Sequence, residues 1–178
     1  MPQTNSRSAS NLRTWPPHCA TWAACIAEQF NINQAEPLLK RALAIREKTL
    51  GAEHPDTAAS LSDLSLLYFY EKKFAAAEKF AQRALPIQEK VFGPNGLEVS
   101  TALNRLGIAE RELGNLSAAE TTLKRALAIR EENLGPNHPW IAISLENLAS
   151  VYVMQNEFGK AAPLIARARS IRSHPSGG

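Results

Sequence analysis

The residues with the clearest chemical potential form a His-Pro-Asp triplet, His54 to Asp56, in the stretch LGAEHPDTA. An imidazole beside a carboxylate can act as an acid–base pair or bind a metal ion. His18, Cys19 and Cys25 form a second group of potential metal ligands. Two cysteines and one histidine at this spacing fall short of a zinc site or a disulfide framework. Buried or free thiols are therefore the simpler interpretation.

The triplet also matches the signature loop of J-domain co-chaperones, but its copies elsewhere in the sequence argue against a working loop. The aligned segments read GAEHPDTA, GPNGLEVS and GPNHPWIA. Gly96 replaces the histidine in the middle copy, and Trp140 replaces Asp56 in the last. We therefore interpret the triplet as a corner where Pro and Gly end one helix and Asp56 or Thr57 caps the next.

Catalytic motifs are missing from the sequence. It contains no G-x-S-x-G, Walker A, G-x-G-x-x-G or H-E-x-x-H motif. His54, His138 and His174 lie in separate corners, and no Ser, Cys or Lys stands in a setting that would activate it as a nucleophile. We therefore expect no enzymatic activity, no cofactor and no metal.

Length and composition narrow the class of protein further. The chain has 178 residues, of which 44% are hydrophobic, and a formal net charge of +3. This is enough for one domain or a short repeat array with a packed core, and it argues against wholesale disorder. No apolar run approaches the roughly 18 residues that a membrane span needs. We expect a cytoplasmic protein that does not bind membranes.

Basic residues recur in clusters, but acidic residues are mixed with them. The basic residues are Lys40, Arg41, Arg46, Lys124, Arg125 and Arg130, and the acidic ones are Glu36, Glu47, Glu120 and Glu131. Mixed charge at helical spacing is typical of a solvated helix face. We therefore predict no nucleic-acid partner.

An internal repeat dominates the chain. KRALAIREKTLGAEHP begins at Lys40, QRALPIQEKVFGPNGL at Gln82 and KRALAIREENLGPNHP at Lys124, which gives a period of 42 residues. Apolar residues at helical spacing predict two helices in each period, at about 56–70 and 74–91 in one copy. A single pair cannot bury both of its faces, so the pairs must stack.

The period, the helix pairs and the recurring small and large residues resemble tetratricopeptide repeats (TPRs). The phrase ALAIRE…LGP.HP is most similar to repeats of the kinesin-light-chain type. This resemblance covers about residues 22–171. It implies an all-α fold, a right-handed superhelical solenoid of antiparallel helix pairs, whose concave groove binds peptides or partner proteins.

The register divides the chain into a tail at 1–16, a TPR array at 17–173 and a second tail at 174–178. Within the array we predict a degenerate first repeat at 17–55 and full repeats at 56–97, 98–139 and 140–173. We expect the first tail to be disordered, and the incomplete first repeat to expose apolar surface and cause self-association. Arg169 replaces a recurring Leu of the second helices, which predicts a polar cap at that end.

The resemblance also implies a binding site. Repeats of the kinesin-light-chain type carry Asn just before the second Leu of the first helix, where it bonds the backbone of a bound peptide. LNRLG supplies Asn104 and LENLA supplies Asn147, whereas LSDLS has Ser62 and Asp63 instead. One turn further on we place four more groove residues: Tyr70, Arg111, Glu112 and Met154. The alternative is that Asn104 and Asn147 only bond between adjacent helices.

These observations predict a protein–protein interaction module that binds a peptide or partner protein and has no catalytic activity. The alternative is a fragment or accessory subunit of a larger signalling or transport protein, like a kinesin-light-chain adaptor. In that case the repeats would only dock other domains. The sequence does not name the partner.

Overall fold

The computed structural model describes residues 32–173 of the chain. Seven helices make up this range: α1 (Ile32–Leu50), α2 (Pro55–Tyr70), α3 (Phe74–Phe92), α4 (Leu97–Glu112), α5 (Leu116–Asn133), α6 (Pro139–Met154) and α7 (Phe158–Ser173). None of them combines the length and the hydropathy needed to cross a bilayer. The two predicted tails, the degenerate first helix at 17–29 and the candidate ligands His18, Cys19, Cys25 and His174 lie outside the described residues.

The helices form three pairs, α2 with α3, α4 with α5 and α6 with α7. Helix α1 packs on α2 as the second helix of an earlier pair would. Each helix packs on its neighbours in sequence, and the first helices also touch one another, α2 with α4 and α4 with α6. The three first helices therefore follow one side of the stack. The expected all-α architecture of stacked pairs is confirmed.

Side-chain size explains how the pairs close. Leu61, Leu103 and Leu145 occupy the same place on the three first helices, and each is at most 3% exposed. In the same core clusters the second helices place Ala84, Ala126 and Ala168, each at most 1% exposed. A small residue on one helix lets the other helix approach closely, and the large residue then fills the space between them.

The turn inside each pair places its middle residue in the left-handed region, with φ of 58° at Lys72, 82° at Gly114 and 62° at Asn156. The next N–H then reaches back to the last turn of the first helix, as in Lys73 N–H to Tyr68 O at 2.9 Å. Gly and Asn suit this conformation. Lys72 adopts it as well, although its residue type does not favour it.

The corner between pairs is closed by histidine. His54 precedes α2, and its Nδ1 accepts the backbone N–H of Asp56 at 3.1 Å. His138 accepts the N–H of Trp140 in the same way, also at 3.1 Å. The predicted corner is confirmed, but the prediction that Asp56 or Thr57 caps the helix is wrong. Helix α2 already begins at Pro55, and the buried Thr57 hydroxyl donates instead to the carbonyl of Gly51.

Candidate binding groove

The ends of the first helices carry the exposed residues of the predicted groove. Tyr70 at the end of α2 is 50% exposed, and Met154 at the end of α6 is 51% exposed. Val153 beside Met154 is also exposed. Aromatic and methionine side chains offer adaptable apolar area to a partner. Tyr70 and Met154 therefore offer exposed apolar surface at the equivalent ends of α2 and α6.

Between these ends, Arg111 already bonds within the chain. Its Nη1 donates to the Ser150 hydroxyl of α6 at 2.6 Å, and its Nη2 donates to Glu112 at 2.5 Å. The guanidinium thus ties α4 to α6 and holds the exposed Glu112 carboxylate beside it. Arg111 and Glu112 form a neutral ion pair, so any partner that contacts them meets no net charge.

Asn104 and Asn147 meet directly. The Nδ2 of Asn147 donates to the Oδ1 of Asn104 at 3.1 Å, a bond between α6 and α4. Asn104 is only 8% exposed. The two residues do not occupy equivalent places, because Asn147 directly precedes Leu148 whereas Asn104 directly follows Leu103. Placing Asn104 just before the second Leu was therefore wrong, and the interhelical bond of the alternative is present.

The true counterparts of Asn147 are Arg105 on α4 and Asp63 on α2. Burial lowers the pKa of the Arg105 guanidinium, and the neighbouring Tyr70 and Asp63 oppose this shift. Burial likewise raises the pKa of the Asp63 carboxyl against the attraction of Arg46 and Arg105. Within residues 32–173, neither Arg105 nor Asp63 has an ion pair or a side-chain hydrogen bond.

Arg105 is a candidate groove residue that the sequence-based prediction did not include. The signal was available, because aligning LNRL with LENL residue by residue places Arg105, not Asn104, with Asn147. The result is a row of Asp63, Arg105 and Asn147 on successive first helices. Carboxylate, guanidinium and amide groups can bind the backbone and the charged side chains of a peptide. Among the described residues, no three His, Cys, Asp or Glu side chains approach closely enough to hold a metal ion.

Comparison with protein families decides the classification. The family model described as "Tetratricopeptide repeat" matches residues 18–90, 67–132 and 98–173, which together span most of the chain. The chain belongs to the tetratricopeptide repeat family. TPR proteins are interaction scaffolds and are typically non-catalytic. A search of curated proteins found no match.

Solved structures with the same fold support this assignment. BtubC (BKLC) from P. vanneervenii aligns with a TM-score of 0.77 and 24% identity, covering 88% of this chain and 64% of that one. A putative kinesin light chain with nearly identical TPR-like repeats from Podosopora anserina aligns at 0.76 and 24% identity, covering 88% and 74%. MamA MSR-1 C2 aligns at 0.63 and 21%, covering 86% and 74%. The right-handed TPR solenoid is confirmed, and the chain spans about two thirds of BtubC.

The corners of the TPR array contain a second set of polar contacts. Arg130 on α5 donates through Nη1 to the Ser144 hydroxyl at 2.7 Å and to the Trp140 carbonyl at 3.1 Å, both on α6. Arg46 on α1 repeats these contacts with the hydroxyl of Ser60 at 2.6 Å and the carbonyl of Asp56 at 3.1 Å. We call each set an arginine clamp. Each clamp joins a second helix to the first helix of the next repeat.

The arginine clamps correct one sequence-based interpretation. Lys124 and Arg125 are exposed, as expected for a solvated face, but Arg130 is only 5% exposed. Burial, together with the charge of Arg105, lowers the pKa of Arg130 to about 10, so its guanidinium is still charged at neutral pH. Its Nε also donates to Ser100 at 3.3 Å, and the group stacks over Trp140 at 5.6 Å. Arg130 is thus a buried structural residue.

Proposed function

We propose that this TPR array binds an extended peptide segment of a partner protein along α2, α4 and α6, without catalysis. One observation carries the proposal: Arg105 is partly buried in the middle of this side, and although Tyr70 and Asp63 lie near it, no side chain of residues 32–173 forms a hydrogen bond or an ion pair with it. A desolvated guanidinium without a partner is costly unless a carboxylate or carbonyl binds it. A peptide supplies both kinds of group.

The surroundings of Arg105 fit the same ligand. Asn147 lies one repeat further on and keeps amide capacity beyond its single bond to Asn104, since an amide side chain offers two donor hydrogens and an acceptor oxygen. Tyr70 and Met154 flank this polar row with apolar surface. The partner segment would therefore place polar or acidic groups at its centre and apolar side chains at its ends.

The test is affinity purification with the full chain as bait. The Arg105→Ala, Asn147→Ala double variant is expected to weaken partner binding by at least roughly thirtyfold, the loss from removing one charged and one neutral hydrogen bond. Arg125→Ala is the matched control, because it removes an exposed arginine from α5 and leaves the groove intact. Undiminished recovery by the double variant would sink the proposal.

A second variant separates binding from folding. Tyr70 and Met154 are half exposed, so Tyr70→Ala with Met154→Ala removes little of the core. We expect this variant to keep its helical circular dichroism and its thermal unfolding midpoint, while recovering less partner. If both groove variants bind like wild type and unfold like wild type, the partner docks elsewhere on the array.

A further inference from the structure

A cavity lies at the corner between α3 and α4. It measures about 200 Å³ and is lined by Pro55, Ala58, Ala59, Gln88, Val91, Phe92 and Glu98. For scale, an engineered apolar cavity of about 150 Å³ holds benzene. Val91 and Phe92 are 44% and 48% exposed, so the cavity wall is reached from solvent. None of the lining residues belongs to the groove described above.

The equivalent corners of this chain each contain an arginine side chain. At the two equivalent corners an arginine clamp crosses from the second helix to the next first helix, through Arg46 and through Arg130. At the middle corner Gln88 stands in the arginine's place and Ala102 replaces the serine that receives it. Gln88 turns away and donates to Ser62 on α2 at 2.9 Å. The cavity is found at the corner that lacks its own arginine.

The polar groups left at this corner favour a cation. The Oε1 of Gln88 is buried and accepts no hydrogen bond from the described residues. The exposed Glu98 contributes a carboxylate at the start of α4. An unpaired buried acceptor and a nearby carboxylate attract a donor with a positive charge. The alanines and Phe92 suit the methylene stem of the same side chain.

We propose that the middle corner binds the arginine side chain of a partner protein, which takes the place that Arg46 and Arg130 fill at the other corners. The guanidinium donates to the Gln88 Oε1 and to the Glu98 carboxylate, and its stem packs on Val91, Phe92 and the alanines. Arginine fits better than lysine because a planar guanidinium can donate to two acceptors at once. This site does not depend on the groove proposed above.

The experiment titrates the isotope-labelled full chain with N-acetyl-arginine amide and follows backbone amide signals by NMR. We expect saturable shifts at Ala58, Ala59, Val91 and Phe92, with a Kd on the order of 1 mM for so small a probe. N-acetyl-lysine amide and the neutral citrulline analogue are expected to bind more weakly. Equal shifts from all three probes, or none that saturate at this corner, would overturn the proposal.

Two variants locate the site. Gln88→Arg with Ala102→Ser gives this corner an arginine clamp from the chain itself. The arginine should occupy the cavity, so that the probe no longer shifts the amide signals of the corner. Gln82→Arg is the matched control, since it makes the same substitution at an exposed position of α3 and should leave the shifts unchanged. Glu98→Gln should weaken binding about two- to fivefold, as expected for an exposed charge pair. Undiminished shifts in the Gln88→Arg, Ala102→Ser variant would refute the site.

The proposal of arginine binding at the middle corner can fail independently of the proposal of peptide binding in the groove. Arg105→Ala should leave the response to N-acetyl-arginine amide unchanged, because Arg105 does not line the corner cavity. Conversely, Gln88→Arg with Ala102→Ser should still recover a peptide bound along the groove. If Arg105→Ala abolished the response to the probe while the Gln88→Arg, Ala102→Ser variant kept it, arginine would bind in the groove and not at the corner. That result would overturn the inference.

Discussion

The corner before α4 and the corner before α6 join successive repeats in the same place, yet only one is closed by side chains. Before α6, Arg130 crosses to Ser144 and His138 caps the helix. Before α4, the cap position is Gly96, which has no side chain to offer. Three of the differences are Gln88 for Arg130, Gly96 for His138 and Ala102 for Ser144. The corner before α4 thus lacks the arginine, the serine hydroxyl that would accept its hydrogen bond, and the histidine cap.

The difference also has a steric side. A Cβ at position 96 would lie 2.7 Å from the carbonyl oxygen of Phe92 and 2.9 Å from its Cβ. The end of α3 therefore approaches the start of α4 too closely for any other residue to fit without a shift. The middle corner is tight at Gly96 and open beside Gln88, whereas the last corner is filled by side chains. Repeats with one backbone plan can thus close in two ways.

The largest effect that separates the corners is expected from Arg130→Ala. The substitution removes a buried cation with three hydrogen bonds and a cation–π contact, so we expect a loss of about 3 kcal/mol in the free energy of unfolding. Urea unfolding followed by circular dichroism measures it. Arg46→Ala should cost less, about 1 kcal/mol, because that clamp is more exposed to water. Equal losses would mean that burial does not distinguish the clamps.

Gly96→Ala tests the close approach of the helices at the middle corner. We expect it to destabilise the protein by about 2 kcal/mol, since the new Cβ meets the backbone of Phe92 and overpacks the corner. Gly135→Ala is the matched control, because a Cβ there meets nothing within 4 Å. It should be neutral or slightly stabilising through the unfolded state. Thermal unfolding of the two variants gives the contrast, and similar midpoints would argue against a tight middle corner.

The fold was predictable because its determinants are local and periodic. Leu61 and Leu64 stand at helical spacing on a buried face, and their copies recur every 42 residues, as do the copies of the buried Ala119. The ends of α2 and α3 fall within one residue of their predicted positions. Hydrophobic spacing therefore determined which helices form and how they pair.

The polar contacts were predicted less well, for physical reasons. Arg130 lies among acidic and basic neighbours that are indeed solvated, and only the approach of the next repeat buries it. His54 caps a helix through Nδ1, although Ser, Thr, Asp and Asn are the usual caps. Arg105 was passed over because an asparagine stands beside it in the sequence. Each of these roles depends on which side chains meet across repeats, and helical periodicity does not contain that information.

Supplying the missing clamp should sharpen the comparison. Gln88→Arg with Ala102→Ser gives the middle corner the arginine and serine of the other two. We expect a gain of about 1 kcal/mol in the free energy of unfolding, the net worth of one new hydrogen-bonded pair in a partly exposed site. Gln82→Arg adds the same charge on an exposed part of α3 and should change stability little. A loss of stability in the double variant would show that the cavity cannot accept an arginine of this chain.

The smallest effect is expected at the histidine caps. His138→Ala removes one acceptor for the N–H of Trp140 and should cost about 0.5 kcal/mol, at the lower end for helix caps. His54→Ala should cost the same, because its bond to Asp56 has the same length. Urea unfolding followed by circular dichroism measures both losses. A clearly larger loss for His138→Ala than for His54→Ala would mean that the His138 ring stabilises its corner by packing against Trp140 and not by capping alone.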